Sequence, residues 1–462
     1  MKTQRMWWMA GASLLMVAGP IWAQVAPQPA PRPAQAALLR VTFAEAIQIA
    51  LKQNLTVRQM ENNLVAQQAT ANQARSNLLP DLSFRTSAND NVGQQFNLNT
   101  GKLTTQQTRS LSPTVISSFL VYDASRTTSN IRSARETANA MTMDVARTRQ
   151  TAVFTVASDF VSLVSAQSQL DVQRENLTAL QVQLDQIQQF ANAGARPISD
   201  LYQQRASVAS AQLSVTQADQ SVEIAKINLI QALQLDPAKE YEFVAPPIPD
   251  VATARTFSLD SLVAIAYAKR PDIAAERARV AASAQDLRSA RAGRMPNMSA
   301  NVNYGTNYTS ASDSGLFNQF NQRRGGGVGL SFTLPIFDRG SVRLAEQRAA
   351  IAEENANLTL RNQQQTAALE VRRAWLNVRS AQQQLAAATA QQVAAQQALD
   401  AVQQRYNVGA ATLLEITQAR SQLVNAQSSL STAKYNLVLT QAVLSYYTGE
   451  LDPNNIRLGI GG

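Results

Sequence analysis

The sequence of 462 residues contains no cysteine and no histidine. Without thiols the chain can form neither a disulfide framework nor a thiolate nucleophile. Without imidazole it lacks the side chain that enzymes use most often for acid–base catalysis near neutral pH. Metal sites built from cysteine and histidine are excluded for the same reason. Carboxylate or Ser–Lys chemistry remains formally possible, but we expect no metal, no cofactor and no enzymatic activity.

Aromatic residues are also scarce, at 6%, and the mean hydropathy of −0.19 excludes a protein built from many membrane-spanning helices. The formal net charge of +9 at pH 7 raises the question of nucleic-acid binding. The basic residues are scattered, however, in short pairs such as Arg323–Arg324, and no basic run is interleaved with aromatics. We therefore expect no nucleic-acid partner.

Residues 1–23 have the features of a Sec-type signal peptide, because Lys2 and Arg5 precede an apolar run that ends at Ala23. The alternative, a membrane anchor, needs a longer apolar span. A Pro/Ala-rich N-terminal segment follows at 24–40. No later segment approaches 18 consecutive apolar residues, so the exported chain could enter a membrane only through β-strands.

The rest of the chain is an internal duplication, with a first repeat at 41–254, a second repeat at 255–455 and a tail at 456–462. ARSNLLPDLSF in the first repeat is echoed by ARAGRMPNMSA in the second, and SFLVYDASR by SFTLPIFDRG. A glycine interrupts a long helical pattern in each repeat. These glycines, Gly194 and Gly409, lie 215 residues apart.

Apolar residues follow a heptad pattern on both sides of the interruptions, with large residues at one core position and mostly alanine at the other. The large-residue positions after the two glycines are Leu201, Val208, Val215, Val222 and Leu229, and Ile416, Leu423, Leu430, Leu437 and Leu444. The pattern predicts coiled-coil helices joined at hairpin tips near 190–198 and 406–412. The helix over 341–405 alone would be about 95 Å long at ~1.5 Å per residue.

Four stretches instead alternate polar and apolar residues, which is typical of β-strands. They lie at 81–87, 111–121, 297–308 and 327–335, within strand pairs of about 80–122 and about 296–337. We expect a polar, flexible loop between the strands of each pair. Apolar-out, polar-in strands favour an outer-membrane barrel, and the alternative is a soluble hairpin packed on one face. Four strands cannot close a barrel, so a barrel requires several copies of the chain.

The motif SFTLPIFDRG followed by a long helix, then YNVGAATLLEITQARSQLVNAQ, within a duplicated plan, resembles the TolC family of outer-membrane efflux proteins from about residue 41 to 455. The resemblance implies a mainly α fold with a membrane β-barrel portion. Three subunits with four strands each would form a shared twelve-stranded barrel above a long coiled-coil α-helical tunnel. The function of the protein would be that of an exit duct of a tripartite efflux or type I secretion system.

The resemblance also implies location and partners. The protein would be a homotrimer in outer-membrane lipid that extends into the periplasm, where it meets a periplasmic adaptor and an inner-membrane pump of RND or ABC type. Because the chain lacks cysteine, it cannot carry the N-terminal lipid of many efflux relatives. The cargo stays open among drugs, metal ions, solvents and polypeptides.

By the same resemblance, the two glycine interruptions are the periplasmic tips of the tunnel, where adaptor hairpins dock. The tip residues are Gly194, Ala195 and Arg196 in the first tip and Tyr406, Asn407, Val408 and Gly409 in the second.

The resemblance further implies a gate at these tips. In the family a tyrosine, an aspartate and the neighbour of that aspartate hold the entrance closed, and they match Tyr406, Asp200 and Ser199. The latch arginine matches Ala411, so it is absent. Arg196 is the candidate substitute.

Acidic rings near the constriction complete the gate in the family. Glu415 matches one ring, and the second acid is replaced by Gln418. Three copies of Glu415 around a narrow pore would favour cations.

Each of these residues also has a purely structural explanation. Glu415 and Asp200 lie in the first turn of a helix, where a carboxylate interacts favourably with the helix dipole. Tyr406 occupies a heptad core position, and both glycines permit a positive φ at a helix C-terminus whatever the function. The predicted strand–helix junctions are Pro80, Pro296 and Pro335.

Two other classes of protein share part of the pattern. A periplasmic coiled-coil adaptor or scaffold would also have a signal peptide and helical hairpins, but not paired alternating strands at equivalent positions of a duplication. An exported carboxylate hydrolase would need two convergent acids in a compact domain, which the long heptads oppose.

Overall fold

The computed structural model describes residues 39–97, 101–244 and 258–451. The predicted signal peptide, nearly all of the Pro/Ala-rich segment and the tail therefore lie outside the described residues. Short helices and strands alternate with long helices in an order that occurs twice along the chain. The helices are α1 (Phe43–Gln53), α2 (Leu55–Ser76), α3 (Arg126–Asn192), α4 (Ile198–Leu233), α5 (Leu259–Lys269), α6 (Pro271–Ala292), α7 (Leu316–Gln322), α8 (Ser341–Asn407) and α9 (Leu413–Thr448). The strands are β1 (Leu39–Thr42), β2 (Ser83–Asn97), β3 (Lys102–Tyr122), β4 (Tyr241–Val244), β5 (Asn297–Gly305), β6 (Tyr308–Thr309) and β7 (Gly325–Thr333).

The long helices of the two repeats have equal lengths. α3 and α8 have 67 residues each, and α4 and α9 have 36 each. At ~1.5 Å per residue the longer pair extends about 100 Å. The predicted heptad is consistent with this packing, because Leu201, Leu229, Ile416 and Leu437 are all at most 3% exposed.

The helices pack in one layer around the two longest ones. α3 contacts α2, α4, α6 and α9, whereas α8 contacts α6 and α9. α9 and α6 therefore follow one another between α3 and α8, and they abut closely: a Cβ added to Gly449 would lie 3.0 Å from the backbone nitrogen of Arg270. Among the described residues, none of the helices combines the length and apolar composition needed to cross a bilayer.

Beside the middle of this layer, the short elements build two apolar clusters. β1 pairs in parallel with β4, and α1 packs against α3. Phe43 meets Phe160 edge to face at a centroid distance of 5.3 Å within the larger cluster. In the second repeat, α5 packs on α8 and α9 around Leu262 and Val371. These clusters fix the short elements to the long helices.

The second sheet has the order β2-β3-β5-β7, with all neighbours antiparallel. Directly paired residues share a face, so the register tests the predicted alternation. It aligns Val115 with Tyr304, and Ala300 with both Phe119 and Leu330. One face is therefore apolar and the other polar, as the alternation predicted.

The prediction of a flexible loop between the first pair of strands is wrong. β2 and β3 continue as a ribbon until Asn97 pairs with Lys102, and Gly101 turns the chain with a φ of +65°. The described side chains of this ribbon are mostly exposed, and its few large apolar residues, Val92, Phe96 and Leu103, are separated by polar ones. The ribbon therefore does not show the regular apolar alternation of a half-buried strand.

The loop prediction for the second pair is also wrong, and the strand predicted over 297–308 is correct only as far as Gly305. β5 ends at Gly305, and Tyr308 pairs with Leu111 of β3 in the short β6. The chain then forms α7. The buried amide of Gln319 holds this segment together, because it accepts from the Thr309 nitrogen at 3.0 Å and donates to the Thr309 carbonyl at 3.0 Å. A buried polar anchor of this kind has no periodic signal.

Candidate functional site

The two hairpin tips have the same backbone geometry. Gly194 and Gly409 have φ values of +70° and +77°. In the first tip the nitrogens of Gly194 and Ala195 donate to the carbonyls of Ala191 and Phe190 at 3.0 and 2.9 Å. In the second, the corresponding bonds from Gly409 and Ala410 measure 3.0 and 2.8 Å. This pair of bonds is the Schellman motif, which satisfies the last carbonyls of a helix.

The helices that leave the tips begin differently. α4 follows Pro197, which makes no side-chain cap, and Asp200 lies in its first turn. α9 begins with a capping box in which the Thr412 hydroxyl accepts from the Glu415 nitrogen at 3.3 Å, while the Glu415 carboxylate accepts from the Thr412 nitrogen at 3.2 Å. Glu415 therefore has a structural role in the single chain, whatever else it does.

Charge at the second tip is concentrated around Glu415. Its carboxylate lies 3.3 Å from the guanidinium of Arg405, and both side chains are partly exposed. The hydrogen bonds from the Thr412 backbone and hydroxyl, together with the charge of Arg405, hold the pKa of Glu415 below its usual range. The carboxylate is thus ionised at neutral pH.

Tyr406 joins the two tips. It is 7% exposed and belongs to an apolar cluster that contains Ile187 and Leu201 of the first hairpin and Ile416 of the second. The guanidinium carbon of Arg196 lies 4.4 Å from the centroid of its ring, within cation–π distance. Burial raises the pKa of the phenol, and the charge of Arg196 partly offsets this effect.

The phenol oxygen of Tyr406 has no hydrogen-bond partner within the described part of the single chain. Asp200 is half-buried, and its negative charge further raises the pKa of the Tyr406 phenol. Ser199 is exposed. Asn407 accepts a hydrogen bond from Gln403 at 3.0 Å, and Val408 is 79% exposed at the end of the tip. The structure thus brings Arg196 and Tyr406 into contact and gives Tyr406 and Asp200 no direct hydrogen bond.

The prolines predicted at strand–helix junctions lie outside the strands and helices. Pro80 lies between α2 and β2, Pro296 directly precedes β5, and Pro335 follows β7. Two aspartates that the sequence reasoning missed hold the starts of the long helices that follow β3 and β7. Asp123 accepts from the Thr127 nitrogen and Asp338 from the Val342 nitrogen, both at 2.7 Å, at the starts of α3 and α8.

Arg405 and Thr412 were also missed at the tip. Thr412 was detectable, because Thr followed three residues later by Glu is the sequence signature of a capping box. Arg405 had no such signal, since its pairing with Glu415 depends on how tightly the turn closes.

A buried ionic cluster lies where α9 ends against α6. Arg270 is 2% exposed, and its guanidinium contacts the carboxylates of Asp272 and Glu370 at 2.6 Å each. Arg147 of α3 lies 3.7 Å from Asp272 and donates to the Tyr446 carbonyl at 3.2 Å. These bonds join α3, α8, the start of α6 and the end of α9. Among the described residues, no group of three or more His, Cys, Asp or Glu side chains is arranged to hold a metal ion.

The family follows from these features together: duplicated hairpins of equal length, paired tips, and a sheet with one apolar and one polar face. The outer membrane efflux protein family model matches residues 46–234 and 262–450, which is more than half of the chain. The chain belongs to this family, and the predicted family and fold class are confirmed.

Individual relatives are distant. The pyoverdine export outer membrane protein OpmQ of Pseudomonas putida is 25% identical over 321 residues, which cover 69% of this chain and 66% of the relative. The outer membrane protein TolC of Escherichia coli is 23% identical over 315 residues, covering 67% of this chain and 63% of the relative. The matched region thus spans somewhat less than two thirds of these relatives.

The fold likeness extends further along the chain. The crystal structure of the Campylobacter jejuni CmeC outer membrane channel superimposes with a TM-score of 0.75 at 18% identity, covering 90% of this chain and 87% of that one. At this identity the likeness establishes the fold alone.

Proposed function

We propose that the chain is one subunit of a homotrimeric outer-membrane channel, the exit duct of a tripartite efflux or type I secretion system. The observation that carries the proposal is that the sheet and the helical layer are open at the same two edges. β2, α2 and α4 lie at one edge, and β7 and α8 at the other. In lipid an open strand edge leaves backbone groups unpaired, and closing a ring of subunits removes both edges.

Apolar residues at the rim of the helical layer support the same assembly. α8 presents Leu344, Ile351 and Leu358 at heptad spacing, and they are 52%, 61% and 49% exposed in the single chain. Tyr202 of α4, at the opposite edge, is 61% exposed. A heptad stripe of this kind normally packs against another helix.

The sheet supports a barrel of three copies. Twelve strands lie within the range of outer-membrane barrels and above the minimum of about eight. β5 and β7 have nine residues each, so they extend about 30 Å, comparable to the hydrocarbon core of a bilayer. The apolar face, with Val302 and Phe332, would meet lipid and the polar face would line the passage.

The tips would form the entrance at the far end of the tunnel. In this proposal the adaptor docks at Gly194, Gly409 and their neighbours, the contact of Arg196 with Tyr406 helps to close the entrance, and Glu415 forms a ring of three carboxylates. The inner-membrane pump supplies the energy. The channel itself catalyses no reaction and needs no cofactor.

A cross-linking experiment tests the trimer. Arg279 of α6 contacts Asp144 of α3 at 2.5 Å within the chain. In the other half of the duplication the equivalent positions are Asn63 of α2 and Thr359 of α8, which are exposed on opposite edges. A ring of subunits places them side by side.

We expect the double variant Asn63→Cys/Thr359→Cys to give covalent species up to a trimer after treatment of outer membranes with a bifunctional thiol cross-linker that spans about 10 Å. The chain contains no other cysteine, so each single variant is a matched control that should give no such ladder. Recovery of the protein as a soluble periplasmic monomer would instead support the scaffold alternative.

A further inference from the structure

Within the described strands, the polar face of the sheet carries positive charge and no acid. Within the described strands β2, β3, β5 and β7 the charged residues are Arg85, Asp90, Lys102 and Arg109. The register pairs Phe84 with Val115 on the apolar face. Asp90 lies six residues after Phe84 and pairs with Arg109, so the side chains of Asp90 and Arg109 lie on this same face. Arg85 and Lys102 belong to the polar face, which therefore has only cations.

The charges on the apolar face are already paired. Asp90 accepts from Gln107 at 2.8 Å and from Arg109 at 3.3 Å. In contrast, Arg85 is exposed and has no carboxylate within ion-pair distance in the described part of the chain. The one acid of these strands is thus unavailable to Arg85, because it lies on the other face and is held there.

The surroundings of Arg85 leave its side chain room. Along one row of the sheet, Arg85 pairs with Thr114, Thr114 with Gly305, and Gly305 with Gly325. This row closes the four-stranded part of the sheet at the end remote from the long helices. Two of its four residues have no side chain, so nothing on this row crowds the guanidinium.

We propose that Arg85 forms a ring of three guanidinium groups at the outer mouth of the channel, a site that favours anionic cargo groups such as carboxylates and phosphates. The proposal rests on the trimeric channel proposed above, in which the polar face lines the passage. Guanidinium presents planar paired donors that match both groups.

Electrical measurements on the purified full-length protein in planar bilayers test the site. A Glu415→Gln background removes the candidate acidic ring at the entrance, so that selectivity at the mouth can be measured. We expect Arg85→Gln to lower the chloride-to-potassium permeability ratio by about threefold or more, and Arg85→Glu to lower it further. The concentration of inorganic tripolyphosphate that half-blocks current from the barrel side will rise in the same order.

Arg109→Gln is the matched control, because it removes a positive charge from the opposite face of the same pair of strands, five residues further along the ribbon from Arg85. It should leave both the permeability ratio and the block unchanged. Conducting trimers of the Arg85→Gln and Arg85→Glu variants could show the same permeability ratio and the same blocking concentration as trimers that retain Arg85. That result would refute the arginine ring but leave the proposed channel function intact. If the wild-type protein forms no conducting trimer, the proposed function fails and the ring with it.

Discussion

The guanidinium of Arg196 lies over the ring of Tyr406, with 4.4 Å between its central carbon and the ring centroid. The contact joins the first tip to the second, and the phenol oxygen takes no part in it. A cation–π contact of this kind contributes about 0.5–2 kcal/mol, depending on desolvation.

This relationship predicts that the ring, not the hydroxyl, holds the entrance closed. Arg196→Ala and Tyr406→Leu should raise the resting conductance of the channel in planar bilayers, whereas Tyr406→Phe should leave it unchanged. An open phenotype for Tyr406→Phe alone would show that the hydroxyl makes a bond between subunits, and would contradict a closing role for the contact with Arg196.

Glu415 offers a way to separate charge from helix capping. Glutamine preserves the capping box, so Glu415→Gln removes the negative charge while α9 keeps its first turn. We expect a loss of cation preference in bilayer measurements with no change in melting temperature. Gln418→Glu should act in the opposite direction. Unchanged selectivity in both variants would reject the acidic ring.

At Gly194 and Gly409, we expect the effect of a substitution to depend only on how well the new residue accepts a positive φ. A Cβ added at either position would meet no atom within 4 Å, but both residues have positive φ. Asparagine, which accepts this conformation, should be nearly neutral at Gly409, whereas valine should distort the turn at a cost of about 1–2 kcal/mol or more.

The readout is cross-linking to the adaptor in cells. Gly409→Val should lose the cross-link while keeping the trimer, and Gly409→Asn should keep both. Retention of adaptor binding in the valine variants of both tips would count against docking at the tips.

Arg270 predicts a stability effect remote from the tips. Removing one partner of a buried ionic cluster leaves uncompensated charge, which typically costs about 3–5 kcal/mol. Arg270→Ala should therefore lower the thermal stability strongly. Arg40→Ala, which breaks the exposed pair with Glu242, is the matched control and should cost about 1 kcal/mol or less. Equal effects in the two variants would contradict the importance of the buried cluster.

The same ionic cluster predicts how the stability of the protein falls at low pH. Burial alone would raise the pKa of Asp272, but the hydrogen bonds and charge of Arg270 outweigh it and lower the pKa. Its contribution is therefore complete above the unfolded value of about 3.9 and is lost as pH falls through the lower folded value. Asp272→Asn should flatten the decline of melting temperature below about pH 4. An unaltered decline would assign the acid sensitivity to other carboxylates.

The long helices could be predicted from the sequence because their packing repeats. Leu201 and Ile416 each begin a heptad whose core residues follow at fixed intervals, and the alternation on β5 is equally regular. The paired ribbon of β2 and β3 was missed because neither of its faces is buried, so no apolar period marks it.

Within the site, position was easier to predict than contact. The positions of Gly194 and Gly409 could be predicted because each interrupts a long helical pattern, and that of Tyr406 because it occupies a heptad core position. The stacking of Arg196 on Tyr406 depends instead on how two hairpins about 200 residues apart meet, and no local pattern encodes that. The Arg270 cluster was missed for the same reason, because its partners come from four separate helices.

The equal hairpin lengths in the two repeats constrain how the length of the helical part can change. Inserting one heptad into both α8 and α9 would lower the second tip by about 10 Å and leave the first behind, which would separate Arg196 from Tyr406. Any lengthening that keeps the tips level must extend α3, α4, α8 and α9 together. Variation in tunnel length among such proteins should therefore come in matched sets of four insertions at equivalent positions.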